Sequence, residues 1–208
     1  MSPYTTTVIH TSQVANELEV MRCLPTDQDG MDFPAAARHF LYSLPGNRAC
    51  VDCGGANPQW ASVSFGTLLC LQCSGNHRGM GVKTSRVRSV EMDTWSHTQV
   101  LAMLEGGNFQ LQQFFERHRM GNATKMAQKR QQRYHTKAAA FYRVHLAKHA
   151  QAVADAGVYE GREATRQKHY GNNTGSAAST AAAVESCCAA ATANRSEQPR
   201  RRSLAVVQ

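Results

Sequence analysis

The chain has 208 residues, a net charge of +8, 42% hydrophobic residues and seven cysteines, a length that holds one ordinary domain with extensions or at most two small ones. No run of about 18 apolar residues occurs, so no bilayer-spanning helix is expected, and MSPYTTTVIH lacks the basic start and apolar stretch of an export signal. A soluble intracellular protein is expected. In a reducing compartment its cysteines read as metal ligands or free thiols rather than a disulfide framework.

Residues 1–33 mix Thr, Ser, Asp and Gln with little periodicity beyond a short helical pattern from Val14 to Met21. They are expected to form a loosely ordered extension. From Pro34, the run PAAARHFLYSL sets Ala37, Phe40, Leu41 and Leu44 at the three-and-four spacing of a helix with one buried face, and Pro45-Gly46 ends it. Between Cys50 and Cys73, Gly54-Gly55, Asn57-Pro58 and Gly66 leave room only for small strands and tight knuckles. After Gly81, alternation predicts a strand near Val87 to Met92, and Thr94-Trp95-Ser96 caps a helix containing Val100, Leu101 and Leu104. Gly106-Gly107 breaks that helix, and NFQLQQFFERHR resumes with Leu111, Phe114 and Phe115 on one face. Residues 133–154 predict a last long helix with a stripe at Ala138, Phe141, Tyr142, His145 and Leu146. Residues 151–170 form a basic helical or linker segment. Residues 171–208 are mostly Ala, Ser, Thr, Asn and Gly, with too little apolar surface to offset their ordering entropy, and are expected to be disordered.

The cysteines carry the strongest signal. Cys50, Cys53, Cys70 and Cys73 give C-x2-C-x16-C-x2-C, in which each two-residue gap turns both thiolates of a knuckle toward one ion and the excursion lets the second knuckle complete a tetrahedron. Four thiolates leave no open position, so one structural zinc is expected, folding a segment too small for its own core. Cys23, Cys187 and Cys188 lie away from this cluster and read as free thiols. The fold class that follows is α+β, a small zinc-finger core with short strands surrounded by helices, over residues 34–150.

The residues around the cysteines narrow the choice. Gly54, Asn57-Pro58, Trp60-Ala61-Ser62, Gly66, Cys73-Ser74-Gly75, His77-Arg78, Gly81-Val82, Val87-Arg88-Ser89, Asp93 and Gly107-Asn108 closely resemble the zinc-finger segment of Arf GTPase-activating domains. The run YHTKAAAFYR at 134–143 resembles the closing helix of the subgroup associated with Golgi coat turnover. Lys83 stands where that family often has histidine, and Asn76 where an apolar or basic residue is more usual. The resemblance implies an activator, not an enzyme in its own right, that stimulates GTP hydrolysis by a GTP-bound Arf-family small GTPase during vesicle coat turnover. It implies a cytoplasmic protein recruited peripherally to Golgi or related membranes, with coat proteins as further partners.

The resemblance implies that Arg78, in the Gly-bounded turn Gly75 to Gly81 five residues after Cys73, is the arginine finger; without the resemblance it reads as a surface arginine pairing with a nearby carboxylate. Trp60, between the knuckles, reads either as a core aromatic over the metal or as an anchor for the GTPase; the resemblance favours a part in activity. His77 reads as a packed, hydrogen-bonded neighbour rather than a ligand. Arg88 and Asp93 are placed to form an internal ion pair, the alternative being contact with the GTPase.

The charge distribution bears on competing functions. Residues 117–170 carry twelve basic and three acidic groups, whereas residues 50–95 carry four and three. A DNA-reading zinc module would concentrate its cations on the finger, so no nucleic-acid partner is expected. A noncatalytic Arf-binding adaptor is the other alternative.

Overall fold

The computed structural model describes residues 3–23, 30–120 and 131–171. It divides into two units, Met1–Thr165 and Arg166–Gln208; of the second, the described part is the end of the last helix. The expected tail, with Cys187 and Cys188, lies outside the described residues beyond Gly171. Among the described residues the elements run α1 (Pro3–Cys23), α2 (Ala35–Ser43), β1 (Trp60–Ser62), β2 (Thr67–Leu69), α3 (Leu71–Gly79), β3 (Val87–Ser89), α4 (His97–Glu105), α5 (Asn108–Arg117), a 3-10 turn at Arg133–His135, α6 (Lys137–Asp155) and α7 (Arg162–Gly171). This is the α+β arrangement expected from the sequence.

The sheet is antiparallel in the order β2-β1-β3, with Trp60 opposite Leu69 on one side and Ser89 on the other. Because neighbouring strand residues point to opposite faces, Leu68 and Ala61 join one buried cluster and Leu69 joins another. The first cluster is made largely by α1, α2, α4 and Trp95; the second surrounds Cys50 and Cys73 with Phe65, Leu111, Phe115, Tyr134 and Tyr142. Trp95 is fully buried, meets Phe33 edge-on at 4.9 Å and donates its indole N–H to Ser89 O at 3.1 Å. Ser96 caps α4 in a capping box with Gln99, which stops the fraying of a nine-residue helix.

One close approach requires glycine. Gly66 has φ +61°, and a Cβ there would lie 2.5 Å from Ala102 O, while its carbonyl accepts from Gly107 N–H at 2.7 Å. The turn joining β1 and β2 thus lies directly on the end of α4.

In place of the loosely ordered extension expected over residues 1–33, Pro3–Cys23 forms α1, with Val14, Leu18 and Met21 buried in the first cluster. Its Glu17 carboxylate accepts from Ala36 N–H and Ala37 N–H, each at 3.0 Å. Pro34, the residue before α2, makes no side-chain cap bond, so Glu17 satisfies the first turn of α2 from another helix. Glu17→Ala is expected to lower stability by about 1–2 kcal/mol, the scale of a lost helix cap, with Glu17→Gln keeping part of it. An unchanged melting temperature in Glu17→Ala would remove this role.

The last long helix differs from expectation in phase. Its buried stripe is Ala139, Tyr142, Leu146, Ala150 and Val153, whereas Phe141 and His145 are exposed, with ring centroids 3.9 Å apart and planes tilted by 36°.

Candidate metal centre and arginine site

Cys50 and Cys53 close a tight turn, and Cys70 and Cys73 open α3. Their four Sγ atoms lie within 4.8 Å of one another, unlinked, with Cys53 and Cys70 at 3.5 Å. Cys50 N–H donates to Gly55 O at 2.7 Å, and Gly54, at φ +73°, lets the turn close. Backbone donors already face sulfur: Gly55 N–H reaches Cys53 Sγ and Cys73 N–H reaches Cys70 Sγ, both at 3.4 Å. The Cys73 thiol, donating to Cys50, holds Cys50 down to about 5, and the same bond pushes Cys73 up. Thiolate is therefore favoured at Cys50, whereas burial pushes the Cys53 thiol up.

Asn108, fully buried, fixes the approaches to both knuckles. Its Oδ1 accepts from Leu68 N–H at 2.7 Å and its Nδ2 donates to Ala49 O at 2.6 Å. Ala49 precedes Cys50, and Leu68 lies two residues before Cys70. One side chain thus sets the separation of the two thiol pairs.

A second buried group lies behind the thiols. Asp52, between the first two cysteines, places Oδ2 3.0 Å from His77 Nε2, while its Oδ1 receives Tyr134 O–H at 2.6 Å and the Arg133 guanidinium. The chain of contacts continues from His77 Nδ1 to Ser85 Oγ at 2.8 Å and from there to Ser62 Oγ at 2.7 Å. Burial alone would raise the Asp52 carboxyl, but His77, Arg133 and Tyr134 outweigh it and bring it down to about 2. Burial, reinforced by Asp52, pushes the Tyr134 phenol well above its ordinary range. Arg133 also lies over the Phe115 ring, 4.8 Å from its centroid.

His77 is thus the packed, hydrogen-bonded neighbour expected, and its successor Arg78 points the other way. Arg78 is exposed in the last turn of α3, with its guanidinium carbon 4.3 Å from the centroid of the half-buried Trp60. Such stacking is worth about 0.5–1 kcal/mol at an exposed site, enough to bias the guanidinium toward one orientation. The helix carrying Arg78 starts at Cys70 and Cys73 and is held from within by His77. Arg88 and Asp93 do not pair with each other: Arg88 donates to Thr94 O, and Asp93 accepts from Ser89 N–H at 2.6 Å. Each finds a backbone partner within the β3 turn.

Two thiol pairs bridged by a short antiparallel sheet and enclosed by helices define a small α+β domain of the zinc-finger type. Residues 36–151, more than half the chain, match the model of the ArfGap family, described as "Putative GTPase activating protein for Arf", and the chain belongs to that family. It is 46% identical over 104 residues to ADP-ribosylation factor GTPase-activating protein 3 of Mus musculus, covering 50% of this chain and 19% of that protein. It is also 46% identical over 78 residues to the ADP-ribosylation factor GTPase-activating protein GCS1 of Saccharomyces cerevisiae, covering 38% and 22%. A crystal structure from Cryptosporidium parvum, described as a "putative GTPase activating protein for ADP ribosylation factor", superposes with a TM-score of 0.50 at 31% identity, covering 57% of this chain and 96% of that one. The chain spans about a fifth of the length of the two curated relatives described.

Asp52, Arg133 and Tyr134 were not singled out by the sequence. Arg133 and Tyr134 lie 81 and 82 positions from Asp52, and no local pattern announces such a contact.

Proposed function

We propose that this chain is a GTPase-activating protein for Arf-family small GTPases, holding one structural zinc through Cys50, Cys53, Cys70 and Cys73 and presenting Arg78 in trans to the bound GTP. The observation that carries the reading is the placement of Arg78: exposed, stacked on Trp60, and on a nine-residue helix rooted in two of the four thiols. GTP hydrolysis spreads negative charge over the transferring phosphoryl group and leaving oxygen. A permanently charged, planar guanidinium meets that charge better than an ammonium, and one supplied by a partner accelerates hydrolysis roughly 10³ to 10⁵-fold. Trp60 holds the guanidinium before docking and offers an aromatic surface to the GTPase. The activity, in this proposal, takes place in the cytoplasm at Golgi or related membranes, with coat proteins nearby, a reading supported by the resemblance of 134–143 to the coat-turnover subgroup.

The donor set fits zinc. A tetrahedron with Zn–S bonds of about 2.3 Å has edges of about 3.8 Å, and the sulfurs are already gathered within 4.8 Å. Bound zinc would neutralise thiolate charge and tie the first knuckle to the start of α3. Structural zinc sites contribute about 10–16 kcal/mol of apparent binding energy, comparable to or larger than a whole domain's stability. Metal analysis is therefore expected to give one zinc per chain, and a strong chelator to abolish native circular dichroism. Native circular dichroism in metal-free protein would refute the structural role.

Activation itself is tested by single-turnover hydrolysis on a panel of GTP-loaded Arf GTPases. Stimulation by the wild-type chain is expected for at least one. Binding without stimulation across the panel would favour the adaptor instead.

A further inference from the structure

The loop that follows the Arg78 turn opens onto a cleft of about 580 Å³ between that loop, the first turn of α4 and one face of α6. Its described lining brings together Lys83, Arg86 and Arg143 with the polar side chains of Ser64, Thr98 and Gln151, and includes no acidic residue. Lys83 and Arg86 are exposed, and their side chains make no ion pair or hydrogen bond among the described residues. Arg143 is anchored by one bond, to Thr84 O at 3.1 Å, and lies over the Phe65 ring at 5.8 Å. Ser64 Oγ accepts from Arg86 N–H at 2.9 Å, which aims its own hydroxyl proton elsewhere. Gln151 is bonded to Asp155, which does not line the cleft.

Three cations in a concavity without a counter-charge call for an anion. The volume lies in the range of small-molecule sites, and the two guanidinium forks match phosphate oxygens. The rim adds a second requirement. Val82 is 67% exposed and Val144 50%, both bordering the cleft, and Phe141, three residues earlier on α6, is 56% exposed. A soluble phosphate compound would leave that apolar rim in water, whereas a lipid headgroup would bring the rim against the bilayer interface. We propose that this cleft binds the phosphorylated headgroup of an anionic membrane lipid carrying two or more phosphate groups.

The test uses the full zinc-loaded chain and flotation with phosphatidylcholine vesicles containing or lacking phosphatidylinositol bisphosphate. Lys83→Ala/Arg86→Ala is expected to weaken binding to the phosphoinositide vesicles roughly 30-fold, since each cation near an anionic leaflet contributes about a fivefold factor. Arg48→Ala/Arg117→Ala, removing two exposed cations elsewhere, should change it much less. Inositol trisphosphate should compete with the vesicles for the wild-type chain, and Val82→Asn, which removes apolar surface without adding charge, should weaken vesicle binding while sparing inositol trisphosphate binding. Equal losses in the two double variants would reduce the effect to general charge and overturn the proposal. Inositol trisphosphate binding without vesicle binding would assign the cleft to a free polyphosphate and overturn it too. Unchanged vesicle binding with reduced stimulation of a GTPase in solution would make the cleft a protein-docking face, again against the proposal. Arg78→Ala should float like wild type, so failure of the activator reading leaves a distinct signature.

Discussion

Arg78→Ala is expected to remove most of the roughly 10³-fold or greater stimulation that an inserted arginine supplies, while zinc content and stability stay near wild type. The side chain is exposed, so its removal opens no cavity, and its contact with Trp60 contributes only about 0.5–1 kcal/mol. Rate should therefore fall far more than folding or GTPase binding. Arg78→Lys should also fail substantially, because a point ammonium cannot reproduce a two-pronged contact with phosphate oxygens. The measurement is single-turnover hydrolysis at saturating activator, with metal content determined for each variant. Full activity in Arg78→Ala would reject it as the arginine that acts on GTP. A loss seen only below saturation would make it a docking residue.

The parts of the domain legible in the sequence are those whose cause is local. Two-residue gaps bring thiols together whatever surrounds them, turn residues at Gly54 and Gly66 force the excursion into short strands, and Ser96 with Gln99 announces the start of α4. Local patterns mislead where small residues do the packing. In α6, Ala139 and Ala150 mark the buried stripe while the larger Phe141 faces out, so weighting by side-chain size picks the wrong face. Helix α1 is legible only from Val14 to Met21, for another reason. Val14, Leu18 and Met21 repeat at helical spacing, but so short a stripe is stabilised chiefly by packing against other elements, and residues 36–151 of the family match do not include it. Arg88 and Asp93 illustrate the converse: complementary charges near in sequence do not pair when the turn between them offers each a backbone partner.

Among the single substitutions, that of the buried carboxylate behind the thiols has the largest expected effect on stability. Asp52→Ala leaves Arg133, 9% exposed, as a buried cation without its carboxylate, and leaves His77 Nε2 and the Tyr134 hydroxyl without their shared acceptor. Removing one partner of a buried pair costs about 3–5 kcal/mol, which in a domain of this size lowers the melting temperature by roughly 10–15 °C. The pair itself is another matter, because desolvation offsets much of its attraction. Asp52→Ala/Arg133→Met, which removes both charges, is therefore expected to be more stable than Asp52→Ala alone, although it carries one more substitution. Thermal unfolding of the zinc-loaded wild type, both single variants and the double variant closes the cycle. If the losses in the two single variants simply add in the double variant, Asp52 and Arg133 are not coupled. Because His77 adjoins Arg78, Asp52→Ala should also loosen the base of α3, so that activation falls while zinc stoichiometry remains one. Asp52→Asn, which keeps an acceptor for Tyr134 but not the charge for Arg133, should lie between Asp52→Ala and wild type in both measurements.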